Sequence, residues 1–125
     1  MALILVVDDS QVQKVVIQKY LEELKHQVIL AADGHQAHKM AIENQPDLIL
    51  MDIMMPDCNG FQATRILRKD ERTRIIPIVM VSTKNLEIDR YWAEKQGAVG
   101  YITKPIVKSN FVETVTSILK SRGKV

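Results

Sequence analysis

The sequence predicts an α/β fold, one doubly wound parallel sheet with helices on both faces and right-handed crossovers. Three observations point there. Five short apolar runs alternate with five stretches whose apolar residues recur near the helical period. The runs are continuous rather than alternating, most clearly in Leu48 to Pro56, LILMDIMMP, as befits strands covered on both faces. Four of the five runs also end on chemically capable groups: Asp8 and Asp9, Asp52, Ser82, and Lys104 two residues past Ile102. In a parallel sheet the carboxyl ends share one edge, where open α/β sheets bind their ligands.

Leu3 to Val7 forms the first strand and closes on the acid pair. Ser10 with Gln13 three residues on is a capping-box pattern, so a helix starts at once, its apolar positions Val12, Val15, Val16, Leu21 and Leu24, its end near Lys25. Val28 to Ala31 is a weaker second strand, and Asp33-Gly34 leads into a helix through Ala37, Met40, Ala41 and Ile42 that Pro46 prevents from continuing. After the central strand, the loop Pro56 to Gly60 precedes a helix capped by Asn59 with Gln62 and running to about Lys69. Ile78 to Val81 is the fourth strand, and Leu86 to Gln96 the fourth helix, with Gly97 at its left-handed cap. Val99 to Ile102 and a helix from about Ser109 to Leu119 complete the chain.

The 125 residues, 46% hydrophobic and 26% charged, suit one soluble domain, residues 1–125, with no linker or repeat. The lone cysteine, Cys58, excludes an internal disulfide framework and points to a reducing, cytoplasmic setting. The amino terminus lacks the basic leader of a signal peptide, and no run is long enough to insert in a membrane. Basic residues gather at Arg65, Arg68, Lys69, Arg72 and Arg74 and at Lys120, Arg122 and Lys124. Without interleaved aromatics they read as solvated faces, and nucleic-acid binding is not expected.

Three acids on one edge repel; a pair about 4 Å apart at an effective dielectric near 20 costs about 4 kcal/mol. A cation must compensate, or the acids must protonate. The donors are hard oxygens without histidine or cysteine at coordinating spacing, which suits magnesium, with manganese as a substitute. Phosphoryl transfer needs an oxygen nucleophile, a metal, a fixed cation and a hydroxyl donor. Asp52, the ion, Lys104 and Ser82 supply one of each, and attack by Asp52 gives an aspartyl phosphate.

Asp8-Asp9, Asp52, Met55-Pro56 with Asn59-Gly60, Ser82, Tyr101 and Lys104-Pro105, in this order over essentially the whole chain, resemble the receiver domain of two-component response regulators, the family of the chemotaxis protein CheY. The resemblance implies strand order 2-1-3-4-5 and a single-domain regulator with no output domain, monomeric or weakly dimeric. It implies that Asp52 takes a phosphoryl group from a sensor histidine kinase or a phosphotransfer protein. Asp9, Asp52 and the Met54 backbone carbonyl would hold magnesium, with Asp8 acting through water. Lys104 would pair with Asp52 and then with the phosphoryl group, beside a cis bond to Pro105. Ser82 would donate to a phosphoryl oxygen while Tyr101 turns, reshaping the face of the fourth helix, fifth strand and fifth helix for a downstream protein. DRYWAEKQGA and NGFQATR further resemble stand-alone regulators of type IV pili and twitching motility.

Thr83 stands where many receivers have a smaller residue and could narrow access to the acyl phosphate. Met54, two residues past Asp52, cannot orient an attacking water, so slow self-hydrolysis is expected. Tyr101 is a switch by resemblance and a half-buried edge-strand residue by position. Tyr91 and Trp92 either face a partner or, for Trp92, pack inward with Ile88. Cys58 reads as a bystander thiol, and His35 and His38 as a solvated helical face. Neither G-x-G-x-x-G nor a P-loop appears.

Two rival functions are a magnesium-dependent phosphotransferase or phosphohydrolase acting on an external substrate and a phosphorylation-independent adaptor. The first should carry a general acid near its nucleophile, but Met54 occupies the nearest candidate position and no insertion is long enough for a substrate cap; the second leaves the intact acids, Ser82 and Lys104 without purpose. A self-phosphorylating and self-dephosphorylating signalling module, rather than a turnover enzyme, fits best, and an output regulator and a phosphate sink share the same site.

Overall fold

A computed structural model describes residues 1–124. Strands β1 (Leu3–Val7), β2 (Gln27–Ala31), β3 (Leu48–Met51), β4 (Ile78–Ser82) and β5 (Gly100–Thr103) alternate with helices α1 (Gln11–Glu23), α2 (Gly34–Asn44), α3 (Gly60–Lys69), α4 (Glu87–Gln96) and α5 (Lys108–Ser121). All pairings are parallel and the order is β2-β1-β3-β4-β5. The predicted fold class and strand order are both correct.

The continuous apolar runs are explained by two cores, one on each face of the sheet. Leu5, Val7, Ile49, Met51, Ile78 and Met80 face the side that also buries Ala37, Ala41, Ala63 and Leu67 of α2 and α3. Ile4, Val6, Leu48, Leu50, Val79 and Val81 face the side that buries Ile17 and Leu21 of α1 with Phe111, Val115 and Leu119 of α5. Period-2 alternation thus feeds both cores at once, and no polar face is left along β1, β3 or β4.

Capping follows the sequence closely. Asn59 and Gln62 exchange both bonds of a capping box at the start of α3. Ser10 Oγ accepts from the Gln13 amide at 3.3 Å and Asp33 Oδ1 from the Gln36 amide at 2.8 Å. Gly97 closes α4 at φ 109°. Leu86 precedes α4 without a capping side chain of its own, but Asp89 reaches back to its amide.

Three details differ from expectation, and a fourth, the placement of Trp92, decides between the two alternatives left open. The inward stripe of α1 is Lys14, Ile17 and Leu21, while Val12 and Val15 are exposed: Ile17 and Leu21 join the core and set the buried face, and the Lys14 stem fills an apolar position on it. Arg68 is no solvated residue, for it donates to the carbonyls of Gly97, Arg74 and Ile76, tying α3 to the ends of α4 and the β4 approach. His38 leaves the solvated face to meet Asp70 at 2.8 Å, whereas His35 is exposed. Trp92 does not pack inward with Ile88; both are about half exposed, and Trp92 meets Tyr91 edge to face. Among the described residues no helix is long and apolar enough to cross a membrane.

Candidate functional site

Strand register assembles the site. Val7 pairs with Met51, so the residues that follow, Asp8 and Asp52, emerge side by side where strand order reverses. Ser82 pairs with Thr103 at the ends of β4 and β5, and the next amide, Lys104 N–H, donates to the Ser82 carbonyl at 2.8 Å. The Lys104–Pro105 peptide is cis, as the resemblance implied. Gly60 lets the β3–α3 loop fold back against the acceptor strand: a Cβ there would lie 2.3 Å from the Asp52 carbonyl oxygen.

Carboxylate oxygens of Asp8, Asp9 and Asp52 lie within 4.8 Å of one another. Asp8 and Asp52 are buried and Asp9 is exposed. Burial, first, pushes the Asp52 carboxyl up to about 6; Lys104 opposes this, Asp8 and Asp9 add to it, and the Met54 amide helps little from 3.4 Å. Lys104 is not paired mainly with Asp52. Its Nζ lies 2.8 Å from Asp8 Oδ2 and 3.8 Å from Asp52 Oδ2. The other Asp8 oxygen accepts from the Ser10 amide at 2.8 Å. Both Asp8 oxygens are thus engaged, and the less satisfied oxygens belong to Asp52 and to exposed Asp9.

That donor set fits a hard divalent cation: three carboxylates, one open to water, and no soft ligand. Bound there, magnesium would supply the positive charge that phosphoryl transfer needs.

Ser82 is fully buried, and its Oγ accepts from the Lys84 amide at 3.3 Å. The Tyr101 hydroxyl donates to the Lys84 carbonyl. Burial raises that hydroxyl's pKa, with Asp89 adding and Arg90 opposing. Met54 and Thr83 are exposed at the rim. Cys58 is buried beside Gly34, its thiol pushed up by burial and by Asp33, which suits a bystander. The Asp8–Lys104 pairing and the Gly60 approach were not foreseen. The glycine in Asn59-Gly60 was the one available signal for the latter.

Residues 4–116 match the response regulator receiver domain, and the chain belongs to that family. PilH of Pseudomonas aeruginosa is 44% identical over 119 residues, covering 95% of this chain and 98% of that protein. The polar-differentiation response regulator DivK of Brucella ovis is 33% identical over 116 residues, 93% of this chain and 94% of that one. Among solved structures, the chemotaxis protein CheY4 of Vibrio cholerae superposes with TM-score 0.90 at 28% identity, covering 95% and 99% of the two chains. The receiver domain of the sensor histidine kinase PA1611 from Pseudomonas aeruginosa, solved with a magnesium ion coordinated in its active-site cleft, gives 0.83 at 34% identity, covering 95% of each. The chain is a receiver signalling module homologous to PilH and DivK, of the kind that interacts with histidine kinases or phosphotransfer proteins.

Proposed function

We propose that Asp52 is the phosphoryl acceptor of this module. The observation that carries the reading is the pocket itself: a buried carboxylate held beside two further acids, an ammonium 3.8 Å away and a buried hydroxyl at the neighbouring strand end. An Asp52 oxygen attacks the phosphorus of a phosphohistidine; the P–N bond breaks, and its electron pair and a proton complete the imidazole. Asp9, Asp52 and the Met54 carbonyl are the residues that would hold magnesium, and the full engagement of Asp8 supports its acting through water. Lys104 moves its charge from Asp8 toward the new phosphoryl oxygens, and Ser82 donates its hydroxyl to another. Because Ser82 Oγ accepts the Lys84 amide and the Lys84 carbonyl accepts Tyr101, a shift of Ser82 reaches the α4, β5 and α5 face, where Ile88, Tyr91 and Trp92 lie exposed for a protein partner.

Exposed Met54 and Thr83 set the lifetime of the acyl phosphate. Neither supplies a carboxylate or amide to aim water, so self-hydrolysis is slow, and Met54→Asn accelerates loss of phosphate several-fold. The match to PilH and the DRYWAEKQGA segment support a role in pilus-based motility, in the cytoplasm.

The test is incubation with acetyl phosphate and magnesium, then mapping of acid-labile phosphate by mass spectrometry. One phosphoryl group on Asp52, absent in Asp52→Asn, is expected. Modification elsewhere, or none, defeats the reading.

A further inference from the structure

One residue of α4 frames the Tyr101 ring from outside the pocket. The Arg90 guanidinium carbon lies 4.8 Å from the ring centroid, within the range of a favourable cation–π contact. Arg90 Nη2 also donates to Thr103 Oγ1 at 2.9 Å. Tyr101 and Thr103 are two apart on β5 and so share one face of the strand, which lets a single planar guanidinium span both. Among the described residues no carboxylate lies within 4 Å of Arg90 as an ion-pair partner. The exposed guanidinium is thus held by the ring face and the Thr103 hydroxyl rather than by an acid. A cavity of about 420 Å³ opens between α4 and β5, with Arg90, Ala93, Ala98 and Tyr101 on its walls. An aromatic ring on an edge strand beside such a space has room to leave, so whatever restrains it decides where it stays.

We propose that Arg90 is a positioning residue for Tyr101: stacked on the ring and anchored on Thr103, it holds the ring where its hydroxyl reaches the Lys84 carbonyl, and thereby governs how freely the β4–α4 loop follows Ser82. The second half rests on the reading of Asp52 and Ser82 given above. The first half does not, because the ring's position is a property of the unphosphorylated chain.

Labelling with 3-fluorotyrosine gives one fluorine resonance each for Tyr20, Tyr91 and Tyr101, the last assigned by its loss in Tyr101→Phe. Arg90→Ala is expected to shift and broaden the Tyr101 signal more than either of the others. Arg90→Lys, which keeps the charge but not the flat stack, and Thr103→Val, which removes only the anchor, should each move it partway in the same direction. Should Arg90→Ala fail to fold, those two variants decide the matter. A Tyr101 signal unmoved by these substitutions overturns the proposal, and so does an equal shift of all three signals, which would mark general loosening. In the same samples, acetyl phosphate and magnesium should still phosphorylate Asp52 in Arg90→Ala. If they phosphorylate Asp52 in no variant while the Tyr101 signal still moves, the phosphoryl reading fails and the clamp stands.

Discussion

Two aspartates of this chain are pushed in opposite directions. Asp70, in the turn after α3, accepts the Arg72 amide at 2.9 Å, Arg72 Nε at 3.0 Å and Nη2 at 2.9 Å, and meets His38 Nε2 at 2.8 Å. The Arg72 side chain foremost, then its amide and His38, hold the Asp70 carboxyl well below the usual range. Asp52 has one amide at 3.4 Å and the more distant share of one ammonium, and it faces two other acids. The contrast separates two uses of one residue type. A carboxylate that shapes a turn finds most of its donors within a few residues, here all three from Arg72, whereas one that must receive a ligand is buried short of cations, so that an incoming metal ion supplies what the fold withholds.

Removing Lys104, the cation that the acidic pocket holds between Asp8 and Asp52, should produce the largest effect. Lys104→Met lowers the rate of Asp52 phosphorylation by acetyl phosphate about 10²-fold, the usual cost of losing a single charge-stabilising donor, while Asp70→Asn leaves that rate within about twofold because it touches none of the reacting groups. Equal losses in the two variants would erase the distinction between the regions. Magnesium sharpens it thermodynamically. At about one hundred times its dissociation constant, an ion that binds only the folded state adds about 2.7 kcal/mol of stability. Urea midpoints should therefore rise with magnesium in the parent chain and in Asp70→Asn, and much less in Asp52→Asn.

How much of this was legible depends on what encodes each feature. Strands buried on both faces leave apolar runs with polar ends, so the sheet and the convergence of Asp8, Asp9, Asp52, Ser82 and Lys104 could be read from order alone. Which acid Lys104 prefers could not, since a shared edge does not say that the Asp8 oxygen lies 1 Å nearer than that of Asp52. Arg68 and His38 looked solvated because their partners are main-chain carbonyls and an acid 32 residues away, and no local pattern marks either. The face of α1 is hidden for a different reason: counting apolar residues favours Val12 and Val15, but the stem of Lys14 is as good a cover for the sheet.

Acidity should distinguish the two aspartates with the smallest and most diagnostic effect. In protein stripped of metal, the folded Asp52 value near 6 lies above the unfolded value of 3.8, so between those pH values the folded state binds more protons and stability falls as pH rises. Asp70 has the reverse sign. Its depressed folded value adds stability that is fully present above the ordinary carboxylate range and is lost as pH falls below about 4. Asp52→Asn should accordingly flatten the descent between pH 4 and 6 and leave the chelated protein about 1 kcal/mol more stable at pH 7, since water reaching the pocket screens part of the penalty. Asp70→Asn should lower the neutral-pH melting temperature by a few degrees and shrink the loss on acidification. Thermal scans from pH 3 to 8 in EDTA read both slopes at once; matching slopes in the two variants would show that the acids of the pocket are as well satisfied as the one in the turn, and that the pocket needs no ion to balance it.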